Sequence, residues 1–104
     1  MRKRSAALII AGMVSVGASP ALAHTATSPD GGSLVWNSTS TTFNVKDPKC
    51  DGHAAYGYVN NTAHRKDNNS GCNTTVVAPG YGTITAVQAC TNIAGATDPC
   101  SSWQ

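Results

Sequence analysis

The chain contains no glutamate, and only 12% of its 104 residues are charged. General acid–base catalysis by a pair of carboxylates would therefore need two of the five aspartates, and their spacing does not indicate that any two lie close together. The sequence also lacks a Gly-x-Ser-x-Gly nucleophile elbow and a glycine-rich phosphate loop before a helix. These absences argue against catalysis, and the sequence predicts a protein that is not an enzyme and needs no cofactor.

Basic residues are scarce beyond the first four positions. The rest of the chain holds four lysines and arginines against five aspartates, a net charge of about −1. The one adjacent basic pair, Arg65 and Lys66, is followed by Asp67. Because nucleic-acid-binding domains cluster Lys and Arg on one face, the sequence predicts no nucleic-acid partner.

Long hydrophobic runs are absent apart from residues 6–16. This run follows three basic residues and precedes Ala21-Leu22-Ala23, whose small residues suit cleavage by signal peptidase. It is shorter than the roughly 20 apolar residues that span a bilayer. We therefore predict a secretory signal peptide at residues 1–23 and a secreted, extracellular product that begins at His24 and has no membrane attachment.

Four cysteines lie beyond the predicted signal peptide, at Cys50, Cys72, Cys90 and Cys100. An even number in a small exported chain indicates two disulfides, for which three pairings exist. The sequential pairing, Cys50–Cys72 and Cys90–Cys100, is favoured because each bond closes a local loop, and the chain-entropy model gives roughly 3 kcal/mol for such loops. A zinc site is the rival hypothesis, disfavoured by the lack of Cys-x-x-Cys.

Short stretches of alternating or β-branched residues at 41–46, 53–60, 73–78 and 83–93 predict strands, separated by turn residues such as those at 67–71. We predict an all-β fold, a small disulfide-stapled sandwich or partly open barrel of five or six short strands. It occupies residues 41–104, after a polar N-terminal segment at residues 24–40. The predicted core comprises Phe43, Val45, Tyr56, Tyr58, Val59, Val76, Ile84, Val87, Ile93 and Trp103.

Aromatic residues make up only 6% of the chain, so each is a candidate contact. Tyr56 and Tyr58 alternate and share one strand face, either as half-buried residues or as a platform for stacking sugars. Trp36 lies outside the region bounded by cysteines and either anchors a partner or packs across the sandwich. These three residues are the predicted binding residues for an extracellular protein or glycan.

Three segments, DPKCDGHAAYGYV, HRKDNNSGC and QACTNIAGATDPCSSW, lie at residues 47–59, 64–72 and 88–103. In them the chain resembles small secreted actinobacterial proteins of the Streptomyces type, which are largely of unknown function. The resemblance covers residues 42–103. It implies export and a disulfide between Cys90 and Cys100, and it brings no catalytic residues.

Two further resemblances supply alternatives. His24, Ser-Pro-Asp-Gly at residues 28–31 and Asp-Gly-His at residues 51–53 are similar to segments of CopC-like periplasmic copper-binding proteins. That resemblance implies a Cu(II) site made by the His24 amine and imidazole, Asp51 and His53, a plausible nitrogen and oxygen donor set. In size, cysteine number and β content the chain is also similar to secreted Streptomyces α-amylase inhibitors, although their Trp-Arg-Tyr triplet is absent. The sequence thus predicts an extracellular binding module, with copper binding or an inhibitor or antimicrobial role as alternatives.

Overall fold

The computed structural model describes residues 23–104, which form seven β-strands in two antiparallel sheets. The strands are β1 (Thr25–Thr27), β2 (Leu34–Asn37), β3 (Thr42–Asp47), β4 (Ala54–Val59), β5 (Asn61–Asn68), β6 (Thr74–Pro79) and β7 (Val87–Asn92). One sheet has the order β1-β2-β3-β6 and the other β5-β4-β7. The predicted all-β sandwich is confirmed, with seven strands instead of five or six.

The predicted signal peptide lies outside the described residues, except for Ala23. In the part of the chain that the structure describes, no helix has the length and apolar character to cross a membrane.

The core lies between the two sheets and is formed by alternate residues of the strands, whose side chains point inward. In β3, Phe43 and Val45 are fully buried, as their alternating positions predict. Burying a valine or phenylalanine side chain contributes about 1.5–3 kcal/mol, so each of these positions adds substantially to the apolar stabilisation. The buried apolar cluster consists of Ala26, Val35, Phe43, Val45, Ala55, Val59, Ala78, Ile84, Val87 and Ala89.

The two sheets approach closely at Gly57 in β4. A Cβ atom at this position would lie only 2.5 Å from Cγ2 of Val35 in the opposite sheet. Since Gly57 faces inward, Tyr56 and Tyr58 on either side of it point outward. Tyr56 is buried and Tyr58 half-buried, but both lie on the outer face of the three-stranded sheet rather than in the cluster between the sheets.

The N-terminal residues 24–40 belong to the sandwich. β1 and β2 supply two of the four strands of the larger sheet, and their Ala26 and Val35 enter the core. The predicted division into a polar segment and a domain starting at residue 41 is therefore corrected to one domain that includes β1 and β2. The segment looked polar because β1 has one inward residue, and one of the two inward residues of β2 is Asn37.

The loop between β1 and β2 is fixed by a polar network around Asp30. Its Oδ1 accepts hydrogen bonds from the Ser28 hydroxyl (2.7 Å), the Gly32 amide (3.0 Å) and the Thr91 hydroxyl in β7 (2.8 Å). Burial acts to raise the pKa of Asp30, but these hydrogen bonds outweigh it and the pKa is lowered. The loop is thereby tied to the opposite sheet through an ionised carboxylate.

Both predicted disulfides are present, Cys50–Cys72 and Cys90–Cys100. The second holds the C-terminal segment, residues 99–104, along the free edge of β7. There the Ser101 amide donates to the Ala89 carbonyl, and Val87 and Gln104 exchange amide-to-carbonyl hydrogen bonds. This segment covers a strand edge that would otherwise expose unpaired backbone groups.

Candidate functional site

The three predicted binding residues lie on two different faces of the sandwich. Trp36, in β2, is half-buried on the outer face of the four-stranded sheet, where its register neighbours are Thr25 and Asn44. Tyr56 and Tyr58 lie on the outer face of the three-stranded sheet. The structure therefore brings the two tyrosines together and leaves Trp36 apart from them.

Trp103 joins the tyrosines from the C-terminal segment. Its ring centroid lies 6.3 Å from that of Tyr58, with a tilt of 39° between the ring planes. The Tyr56 ring in turn meets Tyr58 edge-on, at a centroid distance of 5.6 Å. We call this surface, made by Tyr56, Tyr58 and Trp103, the aromatic face. Such edge-on and tilted pairs are favourable arrangements for aromatic rings.

Trp103 was predicted for the core, and this prediction is wrong because 39% of the residue is exposed. The pairing of residues 99–104 with the edge of β7 places the tryptophan beside Tyr58 on the outer face. Because this pairing joins a strand to a segment without alternating residues, the sequence offers no signal for it beyond Cys90 and Cys100.

The charges beside the aromatic face are compensated within the protein. Arg65 and Asp67, both in β5, form a bidentate ion pair with N–O distances of 2.7 and 2.9 Å. The hydrogen bonding that Arg65 donates to Asp67 is the main cause that raises the pKa of Arg65. The Arg65 guanidinium also lies 3.6 Å from the Tyr56 ring centroid, in a cation–π contact. The pair therefore adds little net charge to this surface.

A second carboxylate is engaged by Tyr56. The Tyr56 hydroxyl and the Ile93 amide both donate hydrogen bonds to Asp98. The pKa of Tyr56 is raised, first by burial and then by the hydrogen bond to Asp98. The pKa of Asp98 is lowered, chiefly by the hydrogen bond from the Tyr56 hydroxyl and then by that from the Ile93 amide. Tyr56 is thus fixed by its neighbours, whereas Tyr58 and Trp103 retain exposed ring surface.

We expect Asp98 to make part of the stability depend on pH. Because its folded-state pKa lies below its unfolded value of about 3.9, the ionised carboxylate stabilises the fold at higher pH, and this stabilisation is lost as the pH falls through the folded-state pKa. Thermal unfolding from about pH 6 to pH 2 should show a smaller fall in Tm for Asp98→Asn than for the wild type. The control Asp51→Asn should follow the wild-type profile. Identical profiles for Asp98→Asn and the wild type would refute the assignment.

The predicted copper ligands do not converge. The amide of His24 donates to Asn37 Oδ1, at the end of the sandwich where β2 ends and β3 begins. Asp51 and His53 precede β4 at the opposite end, and β3 separates the two ends by six residues, on the order of 17 Å. Within residues 23–104, no three His, Cys, Asp or Glu side chains lie close enough to hold a metal ion.

No protein-family model, curated protein or solved structure matches this chain. The resemblance to small secreted actinobacterial proteins therefore stays a prediction from the sequence segments.

Proposed function

We propose that the protein is an exported, non-enzymatic binding module that contacts an extracellular glycan through the aromatic face. The observation that carries this proposal is the contact between the half-buried Tyr58 ring and the exposed Trp103 ring on one face of the sandwich. The backbone holds both rings in fixed positions. Tyr58 lies in the central strand of its sheet, and Trp103 follows Cys100, which is disulfide-bonded to β7. Exposed tyrosine and tryptophan offer large contact areas at low entropic cost.

The properties of the face favour a neutral ligand. Arg65 and Asp67 neutralise each other in an ion pair, and Asp98 accepts a hydrogen bond from the Tyr56 hydroxyl. A neutral sugar ring suits such a surface, because its apolar side packs on aromatic rings while its hydroxyls meet the polar ends of tyrosine and tryptophan. In these groups only the single charge of Asp98 is left without a counter-ion, and this carboxylate already accepts hydrogen bonds from Tyr56 and the Ile93 amide, so the face offers no charge cluster to a strongly charged partner.

Export is supported by the two disulfides, which form and persist in oxidising compartments outside the cytosol. The N-terminal residues add the pattern of a signal peptide, with three basic residues before an apolar run. Both features suit a module that meets its ligand outside the cell.

The proposal is tested by depletion of the secreted protein from solution by insoluble cellulose, chitin and starch, with negatively charged alginate beads for comparison. We expect saturable binding to at least one neutral glycan and none to alginate. Trp103→Ala and Tyr58→Ala should weaken binding by about tenfold or more, as expected for aromatic contact residues.

Tyr81→Ala is the matched control, since Tyr81 is 61% exposed and lies in the loop after β6. It should bind as the wild type does. The proposal fails if no neutral glycan binds, if Tyr81→Ala weakens binding as much as Trp103→Ala, or if only Trp36→Ala weakens it. The last outcome would assign binding to the outer face of the four-stranded sheet.

A further inference from the structure

A cleft of about 430 Å³ opens beside the Cys50–Cys72 disulfide, at the end of the sandwich where β3 ends and β4 begins. Its volume is within the range of small-molecule sites in proteins. Its lining includes Asp47, Lys49, His53 and Asn68, together with both cysteines of the disulfide. The cleft is distinct from the aromatic face, with which it shares no residue.

Asp47 is the unusual group in this lining. It continues the inward-facing row of Phe43 and Val45 in β3, and only 4% of the residue is exposed. Among residues 23–104, its carboxylate accepts one hydrogen bond, a long one of 3.3 Å from the Lys49 amide to Oδ1. No hydrogen bond in this part of the chain reaches Oδ2, which is not among the fully buried polar atoms and so remains open to a ligand.

Asp47 also has no cationic partner in the described part of the chain, where the ion pair is that of Arg65 with Asp67. The Lys49 ammonium, which belongs to a residue of the cleft lining, instead donates to the Asp30 carbonyl at 2.8 Å. Asp47 is only 4% exposed and accepts one long hydrogen bond, so its protein partners compensate only in part for the hydration that its carboxylate has lost. By contrast, Oδ1 of Asp30 accepts three hydrogen bonds.

We propose that this cleft binds the ammonium group of a small organic cation, with Asp47 as its counter-ion. An ammonium group would donate a hydrogen bond to Oδ2, which accepts none from the protein. It would also supply a positive charge beside the largely buried carboxylate. The disulfide and Ala54 provide apolar surface for the carbon skeleton of the ligand. A single carboxylate, without two further ligands near it, suits an organic cation better than a metal ion.

The test is a titration of the ¹⁵N-labelled secreted protein with n-butylammonium chloride, followed by NMR. We expect saturable shifts of the amides that border the cleft, notably Gly52, His53 and Gly71. Equal concentrations of n-butanol and of sodium chloride are controls for the skeleton and for ionic strength. The Asp47→Asn variant should weaken ammonium binding by about tenfold or more.

Asp51→Asn is the matched control, because it removes the same charge from an aspartate that precedes His53 and is not part of the cleft lining. It should bind as the wild type does. Should Asp47→Asn fail to fold, Asn69→Trp tests the same site from its exposed rim, where the larger side chain should block entry. The proposal is refuted if shifts do not saturate, if n-butanol binds equally well, if Asp51→Asn weakens binding as much as Asp47→Asn, or if Asn69→Trp binds normally.

Discussion

Replacing Asn68 with leucine is expected to lower the free energy of unfolding by about 3–5 kcal/mol, although leucine has nearly the same size. Asn68 is fully buried at the end of β5. Its Nδ2 donates to the carbonyls of Val45 (3.0 Å) and Thr74 (2.8 Å), both in the opposite sheet. Its Oδ1 accepts from the Ser70 amide and the Thr74 hydroxyl. One amide therefore joins the two sheets.

Leucine would remove all four hydrogen bonds, and each buried group that is left unsatisfied costs about 1–3 kcal/mol. For a domain of this size the loss corresponds to a fall in Tm of roughly 12–40 °C. Urea unfolding and thermal unfolding of the oxidised proteins measure both quantities.

The neighbouring variant Asn69→Leu is the control for this substitution. Asn69 is exposed and has no side-chain hydrogen bond to any of residues 23–104, so the change should stay within about 0.5 kcal/mol. A loss below about 1 kcal/mol for Asn68→Leu, or equal losses for the two variants, would show that Asn68 does not hold the sheets together.

Local patterns were enough to predict the class of fold. In β3 the alternation of Phe43 and Val45 with polar residues identified a strand and its inward side correctly. The favoured disulfide pairing was also confirmed, since both bonds close loops that are local in sequence. These features depend on residues close together in the chain, which a sequence displays directly.

Features that depend on long-range pairing were not predictable. The alternation in β4 placed Tyr56 and Tyr58 on one face of the strand and Val59 on the other, but it did not show which face points toward the opposite sheet. That is decided by the close approach of Gly57 to Val35. β5 was missed because its residues Asn61–Asn68 are polar, and its one fully buried side chain is that of Asn68.

The candidate site was predictable only in part, for the same reason. Tyr56 and Tyr58 were selected correctly as neighbours on one face, because residues two apart in a strand share a side. The sequence predicts a core position for Trp103 and shows Arg65 only as part of a basic pair. Both reach the tyrosines through strand pairing, Arg65 across the β4–β5 register and Trp103 along the edge of β7.

The two disulfides should contribute equally to the free energy of unfolding, but only Cys90–Cys100 should be needed to keep the aromatic face in place. The double variants Cys50→Ala/Cys72→Ala and Cys90→Ala/Cys100→Ala should each lose about 3 kcal/mol, since both bonds close loops of moderate length. The physical difference is what each bond holds in place. Cys50–Cys72 joins the loop before β4 to the loop before β6, whereas Cys90–Cys100 holds the segment that carries Trp103.

Amide hydrogen exchange separates these roles under conditions where both double variants remain folded. The amides of Ser101 and Gln104 bond to the Ala89 and Val87 carbonyls, and they should exchange at least about tenfold faster only when Cys90–Cys100 is removed. The same variant should lose the proposed glycan binding, because Trp103 then no longer has a fixed position beside Tyr58, while the Cys50–Cys72 variant should retain it. Faster exchange in both variants would show that the C-terminal segment depends on the stability of the whole sandwich. Unchanged exchange in both would show that its backbone hydrogen bonds are sufficient to hold it, and that the disulfide serves stability alone.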